Sequence, residues 1–333
     1  MLWFGIKTAT SAPANYDGLT EEEALQVLQE SDDRLPHIFA ACDTLRRHYF
    51  GNHAHLCSIV NAKSGACSEN CAFCAQSAHH SAEADCFPLR EVTEIKQAYK
   101  EEAENLPIQH FGIVTSGGKL SGDGFETVKQ AVASTSDAPQ KAACCASLGF
   151  LEQHELEQLQ RAGLKRFHHN LETAGSYFPQ ICTTHNYEDR LATLRKARSA
   201  GLEVCAGGIL GMGESLEQRV ELACTLRREN VDSIPLNFLI PIPGTALDNT
   251  AAMEPLDMLR TIAMFRLVNP ATEIKVCAGR LNLRDLQSMI FHAGATGMMI
   301  GSLLTVAGRD VQEDLQMLND LGMDYDADTA VDT

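Results

Sequence analysis

Residues 187–209 read YEDRLATLRKARSAGLEVCAGGI, which is a helix followed directly by a strand. Apolar residues recur at helical spacing over 187–200, and Gly201 is the kind of residue with which helices commonly end. Residues 202–209 then form a short apolar run, which is typical of a buried strand. A helix that leads straight into such a strand is the building unit of parallel α/β folds.

The same alternation of strand and helix continues from about residue 55 to residue 321. The helices have recognisable ends, such as Gly163 after one helix and a capping-box pair, Ser215 and Gln218, before another. Eight strands in this order close a parallel barrel, so we predict a complete (β/α)8 barrel of the TIM type rather than a doubly wound open sheet. The predicted strands are 56–62, 108–115, 141–148, 165–171, 202–209, 232–239, 273–279 and 296–300.

The segments outside the predicted barrel are less regular. Residues 20–50 are rich in Leu, Ala and Glu, which predicts an N-terminal helical extension that begins at a capping box of Thr20 and Glu23. We predict that residues 1–19 are a flexible leader, that residues 20–323 form a single domain, and that residues 324–333 are a C-terminal tail.

Composition limits the partners and the location that we expect. The 333 residues include 27 Lys and Arg against 44 Asp and Glu, and the net charge of -17 argues against a nucleic-acid partner. No run of about 18 apolar residues could cross a membrane, and the first residues do not resemble a signal peptide. We therefore expect a cytoplasmic protein whose 12 cysteines stay reduced, and we interpret the clustered ones as metal ligands.

Three of the cysteines lie close together in the segment SGACSENCAFC, residues 64–74. Cys67, Cys71 and Cys74 have the spacing C-x3-C-x2-C, which lets one tight loop hold an iron–sulfur cubane by three thiolates. The fourth iron would then be open to the amino and carboxylate groups of S-adenosylmethionine, whose sulfonium an electron from the cluster can cleave. The alternatives are a structural zinc site completed by His79 or His80, and an electron-transfer ferredoxin, whose usual spacing is C-x2-C-x2-C.

Residues 61–80, NAKSGACSENCAFCAQSAHH, resemble the biotin synthase family, whose members carry S-G-x-C-x-E-x-C-x-Y/F-C-x-Q-S at this point. Further motifs follow in the order of the family and cover nearly the whole predicted barrel. They are HNLET (169–173), TTHNYEDR (183–190), VCAGGILGMGES (204–215), PLNFLIPIPGTAL (235–247) and CAGR (277–280).

The resemblance implies the activity of the family, which converts dethiobiotin to biotin by inserting sulfur between two unactivated carbons. It also implies two iron–sulfur clusters: one of 4Fe–4S type that works with S-adenosylmethionine, and an auxiliary one that donates the sulfur. A reducing partner of flavodoxin or ferredoxin type and a homodimer are implied in the same way. The alternatives are another radical enzyme of similar fold, such as a maturase or a carbon-skeleton mutase, and a non-catalytic iron–sulfur or zinc scaffold.

The strand predicted at 165–171 carries residues for which the resemblance implies a role. With the two-residue period of a strand, His168, Asn170 and Glu172 share the face that suits the lumen of a barrel. By resemblance Asn170 contacts the substrate or the adenosyl ribose, and Glu172 binds the ribose hydroxyls. Arg190 resembles the arginine that pairs with the cofactor carboxylate, and its alternative is a solvated arginine on a helix. The other residues given a role by the resemblance are Phe73, Ser116, Gly117 and Gly118 toward the cofactor, and Asn237 and Thr305 toward the substrate.

The auxiliary site departs from the best-known pattern of the family, which is three cysteines and an arginine around a 2Fe–2S cluster. Cys145, Cys205 and Arg280 match three of those positions, whereas the second predicted strand has no cysteine. Cys144 and Cys277 are additional, and only one of the neighbours Cys144 and Cys145 can point into the lumen. Strand parity also puts Cys277 and Arg280 on opposite faces unless the strand ends between them. We hypothesise a 4Fe cluster held by Cys145, Cys205 and Cys277; the alternatives are a 2Fe–2S cluster, and extra cysteines that are merely buried.

Overall fold

The computed structural model describes residues 2–136, 142–301, 304 and 308–325. Its centre is a single sheet in which neighbouring strands are parallel. Every strand overlaps one of the predicted strands, so the alternation of strands and helices is confirmed. The strands are β1 (His55–Lys63), β2 (His110–Thr115), β3 (Ala143–Ser147), β4 (Arg166–His168), β5 (Glu203–Cys205), β6 (Gly208–Leu210), β7 (Ser233–Phe238), β8 (Glu273–Val276) and β9 (Gly297–Met299).

The short strands β5 and β6 are two segments of one barrel strand. Both segments pair with β7, and the pairing of Cys205 with Ser233 closes the sheet. At the interruption, a Cβ on Gly207 would lie 2.0 Å from the Pro235 carbonyl oxygen, so the two strands approach too closely for a side chain there. The structure is therefore an eight-stranded parallel barrel, which confirms the predicted fold and rules out the open sheet.

Helices precede the barrel and surround it. In order they are α1 (Leu2–Ser11), α2 (Glu21–Gln29), α3 (Leu35–Phe50), α4 (Val92–Asn105), α5 (Gly122–Ser136), α6 (Gln153–Arg161), α7 (Phe178–Ile181), α8 (Tyr187–Ser199), α9 (Leu216–Arg228), α10 (Pro255–Val268), α11 (Met289–His292) and α12 (Val311–Asp320). Thr20, Asn186 and Ser215 begin α2, α8 and α9 with capping boxes, which confirms the two that the sequence indicated. None of the helices in the described ranges has the length and apolar content that a membrane crossing requires.

The first residues of the chain form helix α1, where we expected a flexible leader. Leu2, Ile6 and Ala9 recur at helical spacing and are buried where α1 packs on α3. Beyond α1, the Tyr16 hydroxyl donates to the Leu267 carbonyl oxygen of α10 at 2.8 Å. The expectation is therefore corrected, because burial of an apolar face orders a helix that is too short to be stable alone.

The C-terminal end of the described chain also stays attached to the barrel. Asp324, where the predicted tail begins, pairs with His53 just before β1. Residues 326–333 lie outside the described residues. The prediction that residues 20–323 are one domain stays a prediction.

Charged side chains meet at the N-terminal ends of the barrel strands. Arg166 donates to the carboxylates of Glu273 at 2.7 Å and Glu203 at 2.8 Å. The Lys275 ammonium lies 3.6 Å from the Glu273 carboxylate, and His55 Nδ1 lies 3.0 Å from it. Burial alone would raise the pKa of Glu273, but Lys275 and Arg166 outweigh burial and hold this pKa well below its usual range. Glu273 is therefore the anion that compensates two buried cations.

Replacing Glu273 by Gln should destabilise the protein, because Arg166 and Lys275 would be left buried without their shared anion. We expect the free energy of unfolding to fall by about 3 kcal/mol or more. Glu203→Gln is the matched control, because Glu203 contacts the same arginine at 2.7 Å but its side chain is 50% exposed. The control should cost less than about 1 kcal/mol. Urea unfolding measures both variants, and equal losses would contradict the proposed role of Glu273.

Candidate active site

A cavity of about 420 Å³ lies inside the barrel and opens toward the C-terminal ends of the strands. Its wall carries two groups of cysteines, one in the loop after β1 and one on or beside the strands in the lumen. Residues that are far apart in the sequence therefore share one space. The cysteines that line the cavity are Cys67, Cys71 and Cys74 of the loop, and Cys57, Cys145, Cys205 and Cys277 of the lumen.

The loop after β1 turns back on itself so that its three cysteines face the cavity. The amide of Cys67 donates to the Gln76 carbonyl oxygen and the amide of Cys74 donates to the Cys71 carbonyl oxygen, both at 3.0 Å. The side chain of Gln76 accepts from the Gly65 amide at 3.1 Å, which ties the two ends of the loop together. Three thiols presented by one short loop suit a cubane that keeps one iron free of protein ligands.

The two histidines that could have completed a zinc site are bound to the backbone of this loop. His79 Nε2 lies 3.0 Å from the Ser68 carbonyl oxygen, and His80 Nε2 lies 2.9 Å from the Cys71 carbonyl oxygen. The sequence analysis named one of these imidazoles as the fourth ligand of a tetrahedral zinc site. Their backbone contacts therefore argue against that particular zinc site.

Cys182 contacts the loop, although the sequence analysis gave it no role. Its Sγ lies 3.8 Å from Cys71 Sγ and 3.4 Å from His185 Nδ1, and the ligand atoms of these three residues lie within 4.8 Å of one another. His185 Nδ1 also lies 2.6 Å from the Glu69 carboxylate. A cysteine and a histidine three residues apart, in the run ICTTH, were the available signal. These contacts fix the cysteine loop to the segment that leads into α8.

The residues expected to face the cofactor lie along one side of the cavity. Ser116, just after β2, donates its hydroxyl to the Gly65 carbonyl oxygen at 2.8 Å. A Cβ on Gly118 would come 2.5 Å from the Glu69 carboxylate, so a side chain there would displace that carboxylate. Phe73, Gly117 and Glu172 line the same wall, and Glu172 has a φ of 69°, which non-glycine residues seldom adopt.

Arg190 is buried at the wall of the cavity, with only 7% of its surface exposed. Its Nε donates to His185 Nε2 at 3.0 Å, and its Nη1 donates to the Asn170 carbonyl oxygen at 2.8 Å. The same Nη1 lies 3.6 Å from the Glu172 carboxylate, and the Phe178 ring centre is 5.5 Å from the guanidinium carbon. The alternative of a solvated helix arginine is therefore wrong.

The side chains of Asn170 and Asn237 line the cavity and bind neighbouring strands. Asn170 Oδ1 accepts from the Gly207 amide at 3.1 Å, and Asn237 Oδ1 accepts from the Ala278 amide at 3.0 Å. These hydrogen bonds orient both amide groups at the cavity wall. Thr305, the third residue predicted to contact substrate, lies outside the described residues.

The lumen cysteines follow the parity of their strands. Cys145 lines the cavity, whereas its neighbour Cys144 packs in the core between the barrel and its helices. His168 Nδ1 lies 3.3 Å from Cys205 Sγ on the adjacent strand. Burial raises the pKa of Cys205 to about 11 and raises that of Cys145 well above its usual range. Burial thus favours neutral thiols, and a bound metal would favour the thiolates.

The structure does not place Arg280 in the cavity, which corrects our expectation for it. Strand β8 ends at Val276, and Gly279, with a φ of 79°, turns the chain away from the lumen. The Arg280 guanidinium pairs instead with the buried Asp314 carboxylate of α12, with an Nη1–Oδ1 distance of 2.9 Å. This buried pair anchors the turn after β8 to α12.

Lys275 and Arg166 are the cations that line the cavity near the lumen cysteines. Lys275 lies two residues before Cys277, so strand parity could have placed both on the inner face. The sequence analysis also missed Cys57. The alternation of inner and outer residues along β1 from His55 onward could have placed it on the inner face. The lumen therefore holds four cysteines rather than the three that the sequence analysis selected.

Comparison with known proteins assigns most of the chain to two protein families. Residues 62–225 match the Radical SAM superfamily, and residues 235–324 match the Biotin and Thiamin Synthesis associated domain. A biotin synthase of Maridesulfovibrio salexigens is 51% identical over 306 residues, which are 92% of this chain and 93% of the relative. A biotin synthase of Citrifermentans bemidjiense is 48% identical over the same share of each chain.

Solved structures of lower identity share the fold. Methylornithine synthase superposes with a TM-score of 0.81 at 20% identity, over 96% of both chains. HydG, a maturase of the FeFe-hydrogenase, superposes with a TM-score of 0.82 at 16% identity, over 97% of this chain and 75% of its own. At these identities the likeness establishes the barrel and nothing further.

Proposed function

This chain belongs to the biotin synthase family, and we propose that it inserts sulfur into dethiobiotin inside its barrel, using S-adenosylmethionine and two iron–sulfur clusters. It is a radical S-adenosylmethionine enzyme, and its class is that of the sulfurtransferases. One observation supports the use of two clusters above all others. The loop with three cysteines and the deeper lumen cysteines line the same cavity.

The loop cysteines and the wall beside them fit the cofactor. Cys67, Cys71 and Cys74 would hold the 4Fe–4S cluster, which when bound supplies the electron that cleaves the S-adenosylmethionine sulfonium. Arg190 would pair with the cofactor carboxylate, because a guanidinium binds a carboxylate through two charge-assisted hydrogen bonds. Glu172 would accept hydrogen bonds from the ribose hydroxyls.

Backbone and side-chain amides complete the binding wall. The backbone of residues 116–118, with φ of 115° at Gly117, would lie against the amino group of the cofactor, and the Phe73 ring would lie beside it. Asn170 and Asn237 present neutral amides, which suit the neutral ureido ring of dethiobiotin. Thr305 remains the proposed contact of the substrate carboxylate.

The deeper cysteines fit an auxiliary cluster. Cys145, Cys205 and Cys277 would hold it, and the sulfur inserted into the substrate would come from it. The cations Arg166 and Lys275 line the same cavity as these thiols and favour an anionic group there. A donor of flavodoxin or ferredoxin type, a homodimer and a cytoplasmic location complete the proposal by family likeness.

Replacing Cys67, Cys71 or Cys74 with Ala should abolish cleavage of S-adenosylmethionine, because two thiolates hold a cubane poorly. The measurement is 5′-deoxyadenosine formed by the anaerobically reconstituted protein with dithionite as reductant. Cys224→Ala, a buried cysteine of α9 outside the cavity, is the control and should retain cleavage. Normal 5′-deoxyadenosine formation by any one of the three loop variants would contradict the assignment, and none from the unaltered protein would favour a scaffold.

Arg190→Met keeps much of the side-chain length but removes the charge-assisted partner of a carboxylate, which is worth about 1.5–3 kcal/mol. The affinity for S-adenosylmethionine should fall by about 10- to 100-fold in equilibrium binding. Arg195→Met is the matched control, because Arg195 lies on the same helix and its side chain is 54% exposed. Unchanged affinity in a folded Arg190→Met protein would show that Arg190 only supports the wall of the cavity.

Cys145→Ala, Cys205→Ala and Cys277→Ala should each abolish biotin formation and still yield 5′-deoxyadenosine, because the two clusters have separate ligands. Iron content should fall in each variant while the iron of the radical cluster remains. Cys144→Ala should retain biotin formation, since Cys144 packs outside the lumen. Full biotin formation by Cys277→Ala, with its auxiliary iron intact, would refute the set of three cysteines.

A further inference from the structure

Cys57 of β1 belongs to the deep cysteine group, although neither the motifs nor the family likeness gave it a role. Alternate residues of β1 face inward, and Cys57 and Ile59 both line the cavity. Cys277 lines the same cavity. Cys57 Sγ lies 3.9 Å from the Met298 carbonyl oxygen, which is long even for a hydrogen bond of sulfur.

The four deep cysteines come from alternate strands of the barrel. Cys57 lies on the first barrel strand, Cys145 on the third and Cys205 on the fifth, and Cys277 directly follows the seventh, β8. Inward side chains of alternate strands meet near the axis of a parallel barrel. The four thiols therefore line one cavity from four different strands.

The second barrel strand leaves room in this space. Gly112 of β2 pairs with Ile59 on one side and with Cys145 on the other, so it lies between the strands of Cys57 and Cys145. The position lines the cavity without a side chain. A Cβ there would come 3.0 Å from the Ile59 side chain, so glycine keeps this part of the wall free of a further side chain.

Positive charge also converges on the four thiols. Arg166 of β4 pairs in register with Cys145 of β3, and Lys275 lies two residues before Cys277. Both cations line the same cavity as the thiols. Both side chains are almost completely buried. Two buried cations beside four thiols suit a cluster with four thiolate ligands, whose net charge is negative.

From this arrangement we propose that Cys57 is the fourth protein ligand of the auxiliary cluster, which is then a four-iron cluster held by Cys57, Cys145, Cys205 and Cys277. Four cysteines are the usual ligand set of such clusters. The inference rests on the proposed function, because it assumes that an auxiliary cluster is present. The competing uses of these thiols are a disulfide between Cys57 and Cys277, and a zinc ion, which would require the thiols to move closer together.

The test isolates the auxiliary cluster by removing the ligands of the radical cluster. The full chain with Cys67, Cys71 and Cys74 all replaced by Ala is reconstituted anaerobically with iron and sulfide, and its metals, sulfide and Mössbauer spectrum are measured. Cys57→Ala is then added to this background. Cys42→Ala is the matched control, because Cys42 is a fully buried cysteine of α3 outside the lumen.

Loss of a ligand should make the remaining cluster easier to remove. We expect Cys57→Ala to lose iron to a chelator at least about tenfold faster than the control, because even groups outside the ligand set change metal affinity by 10-fold or more. Cys57→Ser should keep its iron but change the Mössbauer parameters of one iron site, since an oxygen replaces a sulfur ligand. Thermal unfolding of each variant verifies that it is folded.

The outcomes separate this inference from the proposed function. Equal iron loss and identical Mössbauer spectra for the Cys57 variants and the Cys42 control would overturn the role of Cys57 and leave the auxiliary cluster in place. A peptide cross-linked between Cys57 and Cys277, recovered from the iron-loaded protein, would overturn it as well. A background protein that binds no iron, or binds zinc in its place, would overturn the auxiliary site itself.

Discussion

Closure of the barrel at β7 is the constraint on which the site depends. In strand order β5 is at one end of the sheet and β7 is next to β6 at the other end, and the pairing of Cys205 with Ser233 joins β5 to β7. The close approach of Gly207 to Pro235 makes this pairing possible, because no other residue fits between the two strands. Without closure, cysteines of the first, third, fifth and seventh barrel strands would be spread along an open sheet and could not share one cavity.

The buried charges at the N-terminal ends of the strands connect the stability of the fold to its chemistry. Arg166 and Lys275 are buried with Glu273 as their common anion, and the same two cations line the cavity near the lumen thiols. Buried ion pairs are seldom stabilising compared with apolar residues of similar size. The proposed auxiliary cluster would account for these ion pairs, because an anionic group held by thiolates needs positive charge that water cannot supply in the lumen.

The cysteine loop and the cofactor wall are held together by one chain of polar contacts. Glu69 of the loop contacts His185, and His185 accepts from Arg190, which donates in turn to the Asn170 carbonyl oxygen. These polar contacts link the loop after β1 to α8 and to the end of β4. Groups that bind one ligand from several elements must keep fixed distances, and this buried chain of contacts provides that rigidity.

Much of this protein could be predicted from its sequence, because local patterns determine local structure. Strand and helix periodicity predicted the eight strands, and the cysteine spacing predicted the loop with three cysteines. Strand parity predicted that only one of Cys144 and Cys145 points into the lumen. Tertiary structure alone decided three points: α1 is ordered because its apolar face is buried on α3, Cys277 rather than Arg280 lines the cavity, and Cys57 lines that cavity with Cys277. Strand parity predicts the direction of a side chain only while the strand continues. Strand β8 ends at Val276, before Cys277 and Arg280. Which inward residues meet across the lumen depends on the register and closure of all the strands together, and no local stretch of sequence encodes that.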